Sequence, residues 1–436
     1  MHIRRWLSFF GVLALWAVCL SCGQNYRLPI IQIPGDPGDP GLYHFAMTIS
    51  TNDPMINSNI PGSVMQTDVV GDSNAGEALV GRGPIFATLL PTGAANRIYV
   101  ANGLEDTIST MTAAPQACSP GPVCPIGATS TITLPAGSTP TYLNSTEASN
   151  MYVILSGNHS VGVISVFQNI LAQEIPLPGA GMLAAVVELP NGHKLYVADQ
   201  TNGLVYVINT ASRQIAQTLS VGAAPSMVLA SPDSSAVYVM TNAGVSVVDA
   251  LTDVVSGSLP TGSAPSAISY DTKLNRLYVA EATAGRVSVY DAAVAPPNVP
   301  SLLLATPAGS FPGAMGVTPL PDGSRFYVLG GVDSTNLTLT GVKSTTLAIG
   351  SPYLLSSTPQ APAATPLGYC ANIRFRFMVG ASADSGRVYV SSCDAGGQYI
   401  YRTSDETGVL FLSSPFQPPV AGAFKPQNPV FLITGR

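Results

Sequence analysis

The residue types that could carry acid–base or metal chemistry are few in this chain. Four histidines, His2, His44, His159 and His193, lie far apart. None stands in the spacing of a Ser/His/Asp triad or a zinc ligand set. His193 ends a Pro190-Asn191-Gly192-His193 turn, where a solvated surface role is expected. No Gly-x-Ser-x-Gly elbow, phosphate loop or Cys-x-x-Cys-His haem site occurs. The glutamates are Glu77, Glu105, Glu147, Glu174, Glu188, Glu281 and Glu406. Of the carboxylates, Glu105-Asp106, Glu188, Asp199 and Glu281 are candidates for a shared polar centre, with solvated loop charges the simpler expectation. The residues therefore predict no catalytic, cofactor-binding or metal site.

Cysteine chemistry is more informative. Cys19 and Cys22 sit near the start, leaving Cys118, Cys124, Cys370 and Cys393. Four cysteines allow three pairings. Proximity favours Cys118–Cys124 and Cys370–Cys393 as disulfides in an oxidising compartment. No Cys-x-x-Cys occurs in the body of the chain and no His lies near either pair, which argues against zinc.

The N-terminus supports that compartment. Arg4 and Arg5 precede an apolar run from Trp6 to Leu20, shorter than the roughly 20 residues a membrane span needs. Cys19-Leu20-Ser21-Cys22-Gly23 resembles a bacterial lipobox, with a small residue before the acylated cysteine. Cys19 stands where that pattern has Leu. Residues 1–21 then form a lipoprotein-type signal, and Cys22 is the lipidation site that anchors the chain to a membrane without spanning it. Residues 22–41, with Pro34-Gly35-Asp36-Pro37-Gly38-Asp39-Pro40-Gly41, have no apolar period and read as a tether. Asp36 and Asp39 fall short of the six to eight oxygens of a calcium site.

The elements that must position any site emerge from composition and repeats. Over 436 residues only 10% are charged, with Gly 42, Pro 37 and a hydrophobic share of 46%. An average chain is about 25% charged. The profile suits short strands joined by Gly/Pro turns. A net charge of −6 argues against nucleic-acid binding, which needs a basic surface. Tyr-Val recurs at Tyr99, Tyr152, Tyr196, Tyr238, Tyr278, Tyr327 and Tyr389, at intervals of 40 to 62 residues. A basic residue stands two places earlier in five copies: Arg97, Lys194, Arg276, Arg325 and Arg387. Gly-x-x-Pro recurs at Gly81, Gly137, Gly222, Gly262 and Gly309, each Pro 12 to 15 residues before a Tyr, and is expected to turn the chain from one repeat to the next. Period-2 strands ending in Asn209, Asp249 and Asp291 follow the Tyr. Each unit thus reads as four antiparallel strands, a propeller blade.

These residues resemble the YVTN-repeat β-propeller family and are similar to its YncE-like members. The signature is nearest at Tyr99-Val100-Ala101-Asn102 and degraded at Tyr196-Val197-Ala198-Asp199 and Tyr278-Val279-Ala280-Glu281. The likeness spans roughly residues 43–434 and is poorest over 330–375. It implies one all-β domain over 42–436, with seven or eight blades. Seven Tyr-Val units plus one blade shared between the chain ends favour eight. Pro429–Ile433, 42 residues after Tyr389, reads as a further Tyr-Val-like strand, paired with strands over 44–49 and 63–68. The repeated Tyr is expected to pack blades together rather than present a ligand platform.

Fold alone does not fix function. The leading expectation is an exported, lipid-anchored, monomeric binding or scaffold protein, without enzymatic activity. Its partner is an envelope protein or cell-wall glycan, met by loops such as the inserts at 112–130 and 333–372. Two alternatives stand beside it. One is an enzyme resembling propeller lactonases or quinone-dependent amine dehydrogenases; the other is a structural surface-layer element.

Overall fold

The protein was analysed as a computed structural model, which describes residues 45–51, 61–68, 72–92, 95–112, 129–146, 149–331, 336–362, 370, 372–413 and 428–434. The signal, Cys22, the tether, His44, Cys118 and Cys124 lie outside them. Among the described residues, no helix is long and apolar enough to cross a membrane.

The chain forms eight four-stranded antiparallel sheets arranged as the blades of a β-propeller. Blades 1 to 7 follow chain order. Their inner strands are Pro84–Thr92, Pro140–Asn144, Leu183–Glu188, Met227–Ala230, Ala267–Asp271, Gly316–Pro319 and Phe377–Ala381. Each inner strand pairs with one neighbour only, so its other edge faces the central channel. Blade 8 joins the two chain ends: Asn428–Thr434 is its inner strand, followed outward by Phe45–Thr51, Ser63–Asp68 and Ser73–Leu79.

The Tyr-Val segments form the second strand of blades 1 to 7, with their seven Tyr rings buried. Here blade 8 corrects the sequence reading. Asn428–Thr434 is an inner strand, not a Tyr-Val strand; its spacing from Tyr389 only mimics the blade period. The Tyr-Val place belongs to Phe45–Thr51. In six blades the pair of third and outer strands slips register at one point. In five of these the slip follows the residue paired with the Tyr, as at Val207, the partner of Tyr196. In blade 8 it follows Gln66, the partner of Met47, so fully buried Met47 stands where the others carry Tyr. A bulge sharpens strand twist, which splays each blade outward.

The basic residue before each Tyr explains how blades join. It reaches the turn between third and outer strands of the next blade. Arg97 donates to the Val166 carbonyl at 2.6 Å, and Lys194 donates to the Ala250 carbonyl and to Asp253, both at 2.8 Å. Arg276 donates to the Ser344 carbonyl, and Arg325 to the Glu406 carboxylate. Arg387 makes a two-point contact with Asp72, both at 2.7 Å, tying blade 7 to blade 8. The other three interfaces use different contacts. Glu188 of blade 3 accepts from the Thr146 amide of blade 2 at 2.7 Å. Tyr238 meets Tyr270 between blades 4 and 5, with centroids 6.3 Å apart. Phe431 meets Phe86 between blades 8 and 1, at 4.2 Å.

Polar strand ends do local work. Asn209 Oδ1 accepts from the Ser212 amide at 2.9 Å, and Asp249 Oδ1 from the Leu251 amide at 2.8 Å, closing the turns that follow their strands, the second of which receives the Lys194 staple. The repeated Gly lies in the links between blades. Gly137, Gly222 and Gly309 have φ of 79°, 101° and 81°, which disfavours any residue with a Cβ.

Two outcomes follow. Arg387→Ala orphans a mostly buried Asp72 and is expected to cost about 3 kcal/mol, the low end for a broken buried pair. Arg402→Ala removes only an exposed contact with Asp405 and should leave the melting temperature unchanged, so equal effects in thermal unfolding would refute the staple. Burial also pushes the Tyr270, Tyr278 and Tyr399 phenols up to about 12. Unfolded tyrosines ionise near about pH 10, so above that pH the unfolded chain releases protons the folded one keeps. Stability should be full below about pH 10 and fall as pH rises toward 12, in step with tyrosinate absorbance.

Candidate functional site

One face of the ring carries the links between blades and the turns between second and third strands. The sequence-nominated carboxylates lie on this face or at strand ends, but they do not meet at the channel. Asp199 and Glu281 end second strands, one strand away from the channel. Asp199 accepts from the Gly181 amide at 2.9 Å, and Glu281 from the Gly262 and Ser263 amides at 2.7 and 2.9 Å. Asp106 accepts from the Gly137 and Thr139 amides at 2.7 and 2.8 Å, and Glu105 from the Arg82 amide at 2.5 Å. Glu188, at the far end of its inner strand, turns to blade 2 as described. These carboxylates accept from backbone amides and do not form a shared polar centre, and the simpler expectation of solvated loop charges is corrected for Glu188, Asp199 and Glu281, which are buried. At Asp199 and Glu281 the fourth residue of the Tyr-Val-x-Asn pattern is thus a side-chain acceptor that fixes the link entering the same blade, whereas Asn102 donates through Nδ2 to Thr107 and Ser109 at 3.0 and 2.9 Å.

The histidines do not converge either. His159 Nδ1 lies 3.0 Å from the Gly181 carbonyl, and His193 is exposed. Among the described residues, no group of three His, Cys, Asp or Glu is placed to hold a metal ion.

The channel holds the feature that sequence reasoning missed. Residues 372–376 precede the inner strand of blade 7, within the stretch where the repeat is weakest. Arg374 reaches across the ring axis to the opposite side, while Phe375 meets the nearer blades 8 and 1. Arg374 Nη1 donates to the Ala184 carbonyl of blade 3 at 2.5 Å, and Nη2 to the Ser226 carbonyl at the start of blade 4 at 2.6 Å. These are edge carbonyls that no fifth strand covers. The guanidinium carbon lies 4.9 Å from the Phe375 ring centroid and 5.7 Å from that of Tyr142. Phe375 in turn meets Phe86 of blade 1 at 5.7 Å and Phe431 of blade 8 at 5.1 Å. Tyr142 of blade 2 stacks on Phe86 at 3.9 Å. One short segment therefore bridges the inner strands of five blades and plugs the channel at the link face.

The plug has a fixed base. Cys370 and Cys393 form a disulfide, the pairing expected from sequence, between the plug and the turn after the second strand of blade 7. Arg376 clasps Asp394 of that turn through Nε at 2.5 Å and Nη2 at 2.9 Å. The Cys393 amide donates to the Arg376 carbonyl at 3.0 Å, and Asn428 of blade 8 donates to the Cys393 carbonyl at 3.0 Å.

Arg374 is solvent-exposed at the channel mouth, yet protein surrounds it in most directions. That desolvation moves its pKa down from the ordinary guanidinium value, while a guanidinium stays charged in proteins. Among the described residues, no carboxylate forms an ion pair with it, whereas Arg376 of the plug and the staples Lys194, Arg325 and Arg387 each have one; the staples Arg97 and Arg276 donate to carbonyls instead. A cleft of about 430 Å³ lies between blades 8 and 1, lined by groups including Arg82, Glu105, Ser109 and Thr131. Its charges are already engaged: Glu105 accepts from the Arg82 amide and the Arg82 guanidinium donates to the Leu104 carbonyl.

The disulfide closes a 23-residue separation, a constraint worth about 3 kcal/mol in the chain-entropy account. Replacing Cys370 and Cys393 by Ser is expected to lower stability by that order and to speed amide exchange at 372–376. Unchanged exchange there would show that the two arginines alone hold the plug.

No protein-family model matches this chain. No curated protein matches it by sequence. Its backbone is similar to solved propellers. The dihydro-heme d1 dehydrogenase NirN, in complex with DHE, aligns at a TM-score of 0.63 over 89% of this chain and 74% of that one, with 14% identity. AztD from Citrobacter koseri aligns at 0.58 over 90% of this chain and 98% of that one, with 12% identity. Its apo structure gives 0.57 over 90% and 99%, also with 12% identity. Identities this low establish the propeller fold and nothing finer.

Proposed function

We propose that this chain is an exported propeller of the cell envelope, held to a membrane by lipid on Cys22, that works by binding rather than by catalysis. The reading includes membership among YVTN-repeat propellers, a monomeric body, and a second disulfide between Cys118 and Cys124. The observation that carries it is the plug. A segment anchored by a disulfide and an ion pair closes one end of the channel and holds an exposed cation at its mouth. The link face is then a rigid surface with a charged centre, suited to docking an envelope protein or a glycan. The plug occupies the channel at the link face, so a large cofactor could not enter there, which favours binding over the amine-dehydrogenase-like alternative. The disulfide agrees with an oxidising compartment.

Fractionation of cells producing the full chain tests the address. The protein is expected in the membrane fraction with a lipid-modified N-terminal Cys22 by mass spectrometry, and Cys22→Ala should release it or block its maturation. Recovery of an unprocessed chain from the cytosol would sink the reading. The purified protein should then retain a reproducible, saturable envelope component. Turnover of lactones or amines without such a component would favour the enzyme.

A further inference from the structure

The plug leaves Arg374 in an unusual state. A guanidinium carries five N–H donors in a planar fork. Two are committed to the Ala184 and Ser226 carbonyls. Three remain, on a side chain exposed to the channel mouth and, among the described residues, without a carboxylate partner. Among the described residues, the groups it meets are neutral: the Ala184 and Ser226 carbonyls, the Phe375 and Tyr142 rings, and the adjacent half-buried Ile373. Low-dielectric walls around one sign of charge focus its field and concentrate counter-ions.

We infer that the channel mouth binds the carboxylate of a small amphipathic acid, gripped by the free edge of the Arg374 fork, with its apolar body against Phe375 and Ile373. This rests on the binding reading above and names the ligand class for the same face. Three features select a carboxylate. The guanidinium fork matches its two oxygens in a planar, two-point contact. A single cation balances a monoanion, whereas phosphate carries about −1.5 to −2 at neutral pH and would be left under-compensated. The aromatic ring beside the fork suits an apolar body better than a fully hydrated ion. The site is also preorganised. Cys370–Cys393 and Arg376–Asp394 fix the segment, and two carbonyls fix the guanidinium plane, so little side-chain freedom remains to be lost on binding.

The test uses the full-length protein purified from membranes in a non-ionic detergent, with benzoate as probe, benzamide as its neutral counterpart and inorganic phosphate as the competing oxyanion. Calorimetry and ligand-observed NMR should show saturable benzoate binding, at least about tenfold weaker binding of benzamide and of phosphate, and a loss of about tenfold or more in Arg374→Gln, the scale of a charge-assisted hydrogen bond. Arg374→Lys keeps the charge but not the fork and should fall between. The benzoate–benzamide comparison needs no variant, so a destabilised Arg374→Gln does not blunt it. Equal binding of benzoate and benzamide to the wild-type protein, or no binding of either, overturns the inference. Phosphate binding more tightly than benzoate also overturns it, as does benzoate affinity unchanged in a folded Arg374→Gln. If benzoate fails while the envelope component is still retained, the binding function stands without this ligand class; if both fail, both readings fall.

Discussion

Everything in this ring depends on one strand pair made from the two ends of the chain. Phe45–Thr51 bonds to Asn428–Thr434 from Ala46 opposite Thr434 to Thr51 opposite Asn428, with one slip between Ile49 and Ser50. Without the C-terminal strand, blade 8 would lack an inner strand, and the aromatic contact of Phe431 with Phe86 would go with it. The entropic cost of joining such distant segments grows only slowly, by about 0.6 kcal/mol per doubling of the loop. It is small beside the burial of a whole strand. The price is kinetic, since pairings this remote in sequence form late. Blade 8 is accordingly fastened to blade 7 by more than packing. Arg387 clasps Asp72, the Thr48 hydroxyl donates to buried Gln398 Oε1 at 2.6 Å, and Gln398 Nε2 donates to the Thr67 hydroxyl.

Closure of this kind explains where the sparse charge goes. A chain with so few charged residues has little to spare for solvation, and the staples and links use much of it. Cations two places before the Tyr join blades at the turn side. Carboxylates at and after the end of the Tyr strand hold the links at the other side. Desolvating these groups is tolerable because each is paired or hydrogen-bonded. The result separates architecture from function: Asp199 and Glu281, which by type and spacing are candidates for chemistry, are structural, and replacing either would loosen a blade before it altered any reaction.

The architecture was legible from sequence because packing is periodic. Every blade must bury one large side chain against its neighbour, so Tyr-Val returns at each turn of the ring, and the basic residue returns with it wherever the staple is used. Where a different side chain meets the same need, the signal fades. Met47 fills the Tyr position of blade 8, and Phe45 the basic one, so that blade carries no motif. The C-terminal strand lies at a spacing from Tyr389 close to the repeat length, which mimics a Tyr-Val strand, while the closure places it one strand inward. The pairing of Cys370 with Cys393 was readable from proximity, but its purpose was not. Arg374 had no signal at all. It belongs to no repeat, its partners lie up to 190 positions away, and the carbonyls it meets are main-chain groups that any sequence would supply.

That last point bears on why an arginine stands at the axis. In a closed ring each inner strand exposes one edge to the channel, and unpaired edge groups attract whatever can satisfy them. A hydrophobic plug would fill space but leave the carbonyls of blades 3 and 4 to water. A lysine would reach one of them as a point charge. A planar fork can bond two neighbouring strands at once, stack beside an aromatic ring, and still present donors outward. The side chain that completes the ring is thus also the one that leaves a positive, oriented edge at its mouth, and the rigidity of the plug makes that edge a fixed feature of the surface rather than a transient one.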